Sequence, residues 1–443
     1  MRVAVTGGSG QLGTLVLRRL ADDRAVREIV ALDLRPPLII SGKLRNVRAD
    51  VRDPRIADHL RGCDALVHLA FLVAKRGARE LQDQVNVGGS ANVFRAALAS
   101  GVRRIVYASS VAAYGVVPGL PVPVTEETPR TRQQEFWYAC AKYDVEADLD
   151  ALERDHPDLA VARLRPAILI GRRIEHQLGA ALRRRLLPDG GSLPLVWDED
   201  AADGFLLALK SAARGAFNLS ADEPLPARDL AAAAGMRVLR VPLGAVRAIE
   251  RAVTALHILP PADPGWLRAA DFSLVYSSEK AKRELGWRPR CPTAREVILQ
   301  YARAVPRKLD RRVALWARVV DGASRSGPQR PELKGYDATV HLDLTGPGGG
   351  DFTLRVAEGR VRLRPGAPRP ANAAVTMKAT TLLDLLAGRS DLAAAQLTGR
   401  VRVEGQGHAA LVIGGLVGAF RSAVRLPGWR GWSARRLARW IAA

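Results

Sequence analysis

The sequence predicts an α/β protein, in which a doubly wound parallel sheet precedes a smaller α+β domain. Residues 2–6, 28–32, 65–70 and 104–109 are short apolar runs separated by helical patterns such as 86–99. Strands that alternate with helices in this way form parallel sheets covered on both faces. From residue 336 the apolar period changes to two, as in Val340, Leu342 and Leu344. That period predicts an antiparallel sheet with one apolar face.

Composition excludes several classes of function. The 443 residues carry a net charge of +22, but arginine is spread along the whole chain and no recognition helix or zinc module accompanies it, so specific nucleic-acid binding is not expected. Three widely separated cysteines fit a reducing cytoplasm, and the seven histidines show no metal-ligand spacing with them. No apolar run reaches 18 residues, and the strand-like start leaves no room for a signal peptide. We therefore expect a cytoplasmic protein without a metal site.

A glycine-rich turn follows the first predicted strand and precedes a helix. Gly7, Gly10 and Gly13 have the spacing that lets a backbone approach a pyrophosphate at a helix N-terminus. Asp33 ends the second strand about 20 residues later, where a carboxylate can accept from the adenosine ribose hydroxyls. The alternative is a strand, turn and helix that bind nothing. The predicted cofactor contacts here are Gly7, Gly10, Gln11, Leu12, Gly13 and Asp33.

The same segment bears on the choice of dinucleotide. The carboxylate of Asp33 would repel a 2′-phosphate, which favours NAD. Arg35 lies two residues further on and could pair with that phosphate, so NADP stays open.

The spacing Tyr-x-x-x-Lys occurs twice, at Tyr138 and Lys142 and again at Tyr276 and Lys280. Residues four apart share a helix face, so an ammonium group can favour ionisation of the phenol. A tyrosine that acts as an acid or base near neutrality needs such help, because its ordinary pKa is about 10. The spacing alone does not choose between the two pairs.

The order of motifs resembles the extended short-chain dehydrogenase/reductase family, which includes epimerases, dehydratases and 3β-hydroxysteroid dehydrogenases. The matching segments are 6–13, 50–51, 68–70, 86–92, 109–115, 138–142 and 165–166, with later agreement at 215–219 and 284–289. The resemblance implies a Rossmann-type core over about residues 1–165 and a substrate lobe over about 166–305.

The resemblance also implies roles for individual residues. Tyr138 would be the general acid/base, Lys142 would hold the nicotinamide ribose and lower the pKa of Tyr138, and Ser110 would hydrogen-bond the developing oxyanion. Asp50 would meet the adenine amino group beside Val51, Ala70 would pass close to the cofactor, and Asn86 would brace the site. Tyr276 and Lys280 would lie at the start of a solvated surface helix.

Departures from the family pattern indicate the substrate. Gln11 stands where many members have an aromatic or aliphatic residue, on what we expect to be an exposed turn. Segment 191–201 is short and lacks an evident diphosphate-binding arginine, although Arg183 to Arg185 could substitute. We therefore expect a hydrophobic, lipid or steroid-like hydroxyl or keto substrate. The alternatives are a nucleotide-sugar epimerase or dehydratase with tightly bound NAD, and a non-catalytic protein for cofactor sensing or lipid trafficking.

Residues 306–334 are expected to form a linker after a first domain of residues 1–305. Residues 335–425 resemble a sterol-carrier-protein lipid-transfer domain in segments 352–359, 374–378, 382–388 and 399–405, with predicted helices at 380–387 and 408–420 and a strand at 400–403 between them. The resemblance implies an apolar tunnel for an acyl or sterol ligand. The alternative is a dimerisation or stability module with a filled core, and a homodimer stays open.

The tail of residues 426–443 interleaves tryptophan with arginine, as at Trp429, Trp432 and Trp440. This pattern suits a helix on the anionic inner surface of a membrane. It fits equally a cap on the preceding domain with the tryptophans buried.

Overall fold

The computed structural model divides into two compact units. The first comprises residues 1–36 and 43–301, and the second comprises residues 37–42 and 302–443. The structure describes residues 1–39, 41–73, 77–172, 178, 186–233, 239–258, 260, 262–304, 309–326, 337–346, 348–366, 373–405, 420, 424 and 428–442.

The first unit is an α/β fold. Its strands are β1 (Arg2–Thr6), β2 (Glu28–Asp33), β3 (Leu44–Arg48), β4 (Ala65–His68), β5 (Arg104–Ala108), β6 (Ala160–Pro166), β7 (Ile168–Ile170), β8 (Leu186–Pro188), β9 (Ser192–Leu193), β10 (Leu195–Trp197), β11 (Gly215–Leu219), β12 (Leu225–Pro226) and β13 (Leu239–Val241). Its helices are α1 (Gln11–Asp22), α2 (Ile56–Leu60), α3 (Arg79–Asp83), α4 (Gly89–Ala99), α5 (Trp137–Asp155), α6 (Asp198–Lys210), α7 (Ala227–Ala233), α8 (Leu243–Ala255), α9 (Gly265–Ala269), α10 (Glu279–Glu284) and α11 (Ala294–Ala304).

Seven of these strands form one sheet in the order β11-β6-β5-β4-β1-β2-β3, and every neighbouring pair is parallel. Strands β1 and β4 are apolar and almost wholly buried, as expected for a sheet covered on both faces. The strand order reverses between β1 and β4, and in open parallel sheets the crevice at such a reversal holds the ligand. The predicted doubly wound fold is confirmed.

A smaller lobe is built from short strand pairs after β6. The pairs β7/β10 and β8/β13 are parallel, and β9/β12 is antiparallel. A single bridge joins Val124 to Tyr276, which ties the segment before α10 to the loop after β5. Helix α9 also contacts α5, so this lobe borders the helix that carries Tyr138.

The second unit is an α+β fold whose sheet is mixed. Its strands are β14 (Ala338–Thr345), β15 (Gly350–Ala357), β16 (Arg360–Pro365), β17 (Ala373–Lys378) and β18 (Val401–Gly405), in the order β16-β15-β14-β17-β18. The prediction of an antiparallel sheet is wrong at one pair, because β17 lies parallel to β14. Strand β17 follows the edge strand β16 in the sequence, but it lies beside β14 on the side away from β15. It runs parallel to β14 there.

The helices of this unit are α12 (Arg311–Ser326), α13 (Ala379–Ala387), α14 (Leu392–Leu397) and α15 (Gly428–Ala442). Helix α12 corrects the predicted linker over residues 306–334, since Val313, Trp316 and Val320 have no exposed surface and belong to the second core. Their spacing of three and four residues is that of an apolar helix face. The predicted helix at 408–420 lies outside the described residues except for Phe420.

Helix α15 contains most of the tail. It contacts α12 and α13, and it buries Ala434 and Leu437 while Trp432 and Trp440 remain about half exposed. The tail is therefore a cap on its domain that still presents two tryptophans outward. Among the described residues, no helix combines the length and apolar character needed to cross a bilayer.

Candidate active site

The turn after β1 packs so tightly that only glycine fits at two positions. A Cβ atom on Gly7, whose φ is +73°, would lie 2.5 Å from the backbone nitrogen of Ala70. A Cβ atom on Gly13 would lie 2.2 Å from the carbonyl oxygen of Gly7. These contacts hold the start of α1 against the ends of β1 and β4, as the glycine spacing predicted.

Asp33 fixes the far side of the same turn. Its carboxylate accepts the backbone N–H of Ser9 and the backbone N–H of Arg35, each at 3.0 Å. The hydroxyl of Ser9 donates to the carbonyl of Arg35, so the two loops are joined. Asp33 therefore lies where it was predicted, at the end of β2 and beside the turn.

The turn fits the phosphates of a dinucleotide. Gly10 is the N-cap of α1 and supplies no side-chain hydrogen bond to the first N–H groups of the helix. A helix N-terminus with free N–H groups and a positive dipole end attracts phosphate. Gly7, Gly10, Gln11, Leu12 and Gly13 all line one cavity, which also contains the side chains of the predicted catalytic residues.

Ser110, Tyr138 and Lys142 converge on that cavity. Ser110 follows β5 and accepts the backbone N–H of Ala112 at 3.2 Å, and its proximity to the phenol of Tyr138 lowers the pKa of that phenol. Lys142 is one turn beyond Tyr138 on α5, and its Nζ donates to the carbonyl of Ala108 at 2.6 Å. The pair Tyr138 and Lys142 is therefore the one beside the glycine turn.

Burial governs the electrostatics of Tyr138 and Lys142. Burial raises the pKa of Tyr138 to about 12, and the nearby Ser110 offsets only part of this rise. Burial also holds the pKa of Lys142 well below its usual range, with Glu146 opposing. The Nζ of Lys142 lies 3.4 Å from the ring centroid of Phe71 and 5.7 Å from that of Tyr138. Burial is the largest cause of both shifts, and a lowering of the Tyr138 pKa by Lys142 stays a prediction.

Five of the predicted cofactor residues are not among those that line the cavity, namely Asp33, Asp50, Val51, Ala70 and Asn86. Asn86 grips the backbone of Leu72 through two hydrogen bonds, of 2.7 Å and 3.0 Å, and so fixes the segment after Ala70. Asp50 makes a bidentate ion pair with Arg52. The side chain of Val51 is buried and packs against Gly89. The adenine contact of Asp50 and Val51 stays a prediction.

Two expectations about other residues are corrected. Tyr276 precedes α10, is 3% exposed and lines the cavity, so it is not part of a solvated helix start. Gln11 is not free on an exposed turn, because its Nε2 donates to Asp198 Oδ2 at 2.8 Å. Burial raises the pKa of the Asp198 carboxyl to about 7, and the bond from Gln11 opposes that rise.

Aromatic residues around Tyr138 were not anticipated from the sequence. The ring centroid of Tyr138 lies 5.6 Å from that of Phe71, 6.2 Å from that of Phe136 and 5.1 Å from that of Trp266. In the sequence, the run Pro264, Gly265 and Trp266 indicates a turn, but it does not indicate which distant residue that turn contacts. The phenol of Tyr138 thus lies among the rings of Phe71, Phe136 and Trp266.

The fold and the site define an enzyme of the NAD(P)-dependent oxidoreductase type with an attached lipid-carrier fold. Residues 3–220 match the NAD dependent epimerase/dehydratase family, and residues 322–417 match the SCP-2 sterol transfer family. The chain belongs to the NAD dependent epimerase/dehydratase family and carries a C-terminal SCP-2 domain.

Relatives agree with this assignment. An uncharacterized protein of Mycobacterium tuberculosis is 30% identical over 346 residues, which are 74% of this chain and 92% of that protein. A 2-alkyl-3-oxoalkanoate reductase of Stenotrophomonas maltophilia is 30% identical over 250 residues, 52% of this chain and 73% of that enzyme. A short-chain dehydrogenase/reductase superfamily protein from Agrobacterium tumefaciens, solved with bound NAD, superposes with a TM-score of 0.53 at 23% sequence identity. The match covers 68% of this chain and 96% of that protein. That structure supports the fold.

Proposed function

We propose that this enzyme interconverts a hydroxyl and a keto group on a hydrophobic substrate with NAD(P). The observation that carries the proposal is one cavity of about 2060 Å³. The glycine turn, Tyr138 and a group of apolar side chains all line it. A pocket for one small ligand usually measures about 300 to 1,000 Å³, so this cavity has room for a dinucleotide and a second large molecule. The wall beyond Tyr138 includes Val111, Val116, Phe136, Trp266, Leu267 and Leu274.

Tyr138 can act as the general acid in the reductive direction. Its phenol, with a pKa raised to about 12, is neutral at physiological pH and can donate a proton to a carbonyl oxygen. Ser110 would donate to the same oxygen. Lys142 would hold the nicotinamide ribose, and the bound nicotinamide would supply the hydride to the carbonyl carbon.

NAD is the proposed cofactor, with NADP as the alternative. Asp33 is fixed by two backbone N–H groups, and a carboxylate there repels a 2′-phosphate. Arg35 lines the cavity beside it and favours the alternative.

The second candidate function is that of a nucleotide-sugar epimerase or dehydratase. Arg247, Arg251 and Arg268 line the cavity and favour this reading. Two of them face carboxylates, since Arg247 pairs with Asp271 and Arg268 lies 3.9 Å from Glu135. Arg183 to Arg185 lie outside the described residues, while Ile168, Leu169, Leu193 and Pro194 make that part of the wall apolar.

A substrate panel tests the proposal. We expect the purified chain to oxidise NADH in the presence of a long-chain 2-alkyl-3-oxoalkanoate or a steroid ketone, with slower oxidation of NADPH. Cofactor oxidation and the hydroxylated product are measured together, by absorbance and mass spectrometry. Conversion of UDP-glucose without net NADH consumption would contradict the proposal in favour of the epimerase. Binding of NADH and lipid without conversion of any probe would support the non-catalytic alternative.

The SCP-2 domain is proposed to bind the hydrophobic substrate and present it to the catalytic unit. The support is the family assignment together with its apolar interior between the sheet and helices α12 and α13. A filled dimerisation or stability module is the alternative, and a homodimer stays a proposal.

Helix α15 is proposed to contact an anionic membrane surface. Its outward face combines Trp432 and Trp440 with Arg435, Arg436 and Arg439, and the guanidinium of Arg436 lies 5.2 Å from the ring centroid of Trp432. Tryptophan and arginine together suit the interface of a bilayer with anionic lipids.

We expect the chain to sediment with phosphatidylcholine vesicles that contain phosphatidylglycerol, and the double variant Arg436→Gln/Arg439→Gln to lose most of this binding. The matched control is Arg360→Gln/Arg362→Gln, which removes the same charge from exposed positions of β16. Substitutions are preferable to deletion of the tail, because Ala434 and Leu437 belong to the fold of the domain. Equal losses in both variants would mean that net charge alone attracts the vesicles.

A further inference from the structure

The N-terminus of α5, which carries Tyr138, is capped by a residue from the other end of the first unit. Phe136 is the N-cap by position, but it makes no side-chain hydrogen bond to the helix. The carboxylate of Asp263 accepts the backbone N–H of Trp137 at 3.2 Å and that of Tyr138 itself at 2.9 Å. It also accepts the N–H of Gly265 at 3.0 Å, which shapes its own loop. The backbone position of Tyr138 therefore depends directly on Asp263.

The residues after Asp263 make two further contacts with the same place. A Cβ atom on Gly265 would lie 2.1 Å from Cγ of Phe136, so the loop rests directly on that ring. The ring centroid of Trp266 is 5.1 Å from that of Phe136 and 5.1 Å from that of Tyr138. Asp263 is 6% exposed, and both Asp263 and Trp266 line the cavity. Three independent contacts thus join this short loop to the residue before α5 and to the first two residues of the helix.

We propose that residues 263–266 form a clamp from the substrate lobe, in which Asp263 is a positioning residue for Tyr138 and Trp266 is a specificity-determining wall of the substrate cavity. A buried carboxylate that accepts backbone N–H groups at a helix start stabilises that end of the helix. Tyr138 is then held by the clamp at its backbone and at its ring, and Ser110 lines the same cavity. Movement of the lobe would displace Tyr138 from Ser110.

This inference rests on the proposed role of Tyr138, and its test includes a readout that needs no substrate. The chain is labelled with fluorotyrosine, and the fluorine resonance of Tyr138 is assigned by its absence in Tyr138→Phe. We expect Asp263→Ala to shift and broaden this resonance in the presence of NADH, and Asp263→Asn, which keeps one acceptor oxygen, to restore much of its sharpness. The matched control is Asp229→Asn, which removes a partly exposed carboxylate that pairs with Arg228 and does not line the cavity.

With a substrate identified by the panel above, Asp263→Ala should lower kcat about a hundredfold, the loss typical of a catalytic group misplaced by about 1 Å, while the Kd for NADH stays within about twofold. Trp266→Ala should instead raise KM for long-chain substrates more than for short ones, and Trp266→Phe should retain the preference of the original chain. An unchanged Tyr138 resonance in a folded Asp263→Ala protein would overturn the clamp. Failure of every ketone probe would refute the proposed function while leaving the resonance test of the clamp valid.

Discussion

Replacement of Tyr138 by phenylalanine should abolish conversion of the ketone substrate while leaving NADH binding intact. The hydroxyl of Tyr138 is the proposed general acid, and loss of a general acid typically lowers the rate by about 10² to 10⁴. The ring contacts with Phe71 and Trp266 do not involve the hydroxyl, so the pocket should keep its shape. NADH oxidation measures turnover, and NADH fluorescence titration measures binding.

The matched control is Tyr143→Phe, one residue beyond Lys142 on the same helix. The ring of Tyr143 faces the guanidinium of Arg130 at 5.3 Å, and this residue is not part of the cavity lining. That variant should retain full turnover. A Tyr138→Phe enzyme as active as Tyr143→Phe would remove Tyr138 from the chemistry.

Replacement of Arg165 by methionine should destabilise the first unit by about 1 to 3 kcal/mol, because the buried carboxylate of Glu146 loses one of its two arginine partners and keeps Arg130. Arg165 donates to both oxygens of Glu146, at 2.9 Å and 2.5 Å, and Glu146 has no exposed surface. Glu146 lies one turn beyond Lys142 on α5, so this pair anchors the catalytic helix to β6. Calorimetry, which separates the transitions of the two units, measures the loss.

The pH dependence of that loss has a definite sign. Burial by itself would raise the pKa of the Glu146 carboxyl, but Arg165, Ser109 and Arg130 hold it below its usual range. The group therefore contributes stability above its unfolded pKa of about 4.3, and this contribution is lost as the pH falls through the lower folded pKa. Arg165→Met removes part of this contribution, so its deficit should be smallest below the folded pKa of Glu146 and should grow as the pH rises through about 4.3. A constant deficit would contradict this account.

The control for the charge is Arg132→Met. Arg132 pairs with Asp144 on the same helix, but both side chains are partly exposed. Pairs of this kind contribute about 0 to 1 kcal/mol, so the variant should unfold close to the original chain.

Most of the first unit could be predicted from short sequence patterns, because neighbouring residues alone specify its strands, its helices and its glycine turn. The glycine turn, Asp33, Ser110 and the pair Tyr138 and Lys142 each follow a strand whose apolar run is visible in the sequence. Asp263 and Trp266 could not be found in this way, since more than a hundred residues separate them from Tyr138. Their contact is a property of the folded lobe, and no period or spacing encodes it.

One error has a physical cause that the sequence did contain. The basic and small residues of helix α12 are typical of a linker, although Val313, Trp316 and Val320 share one apolar face. Strand alternation in the second unit correctly indicated a sheet, but alternation does not identify the partner of β17.

The bond from Gln11 to Asp198 limits how this enzyme can be re-engineered. Asp198 begins α6, and its carboxylate is so close to the backbone of Gly171 that a Cβ atom there would lie 1.7 Å from Oδ2. Transplanting a glycine turn with an aromatic residue at position 11 would leave the buried Asp198 without this donor, at a cost of about 1 to 3 kcal/mol. The cofactor loop of this chain is therefore not an interchangeable module, and positions 11, 171 and 198 must be exchanged together.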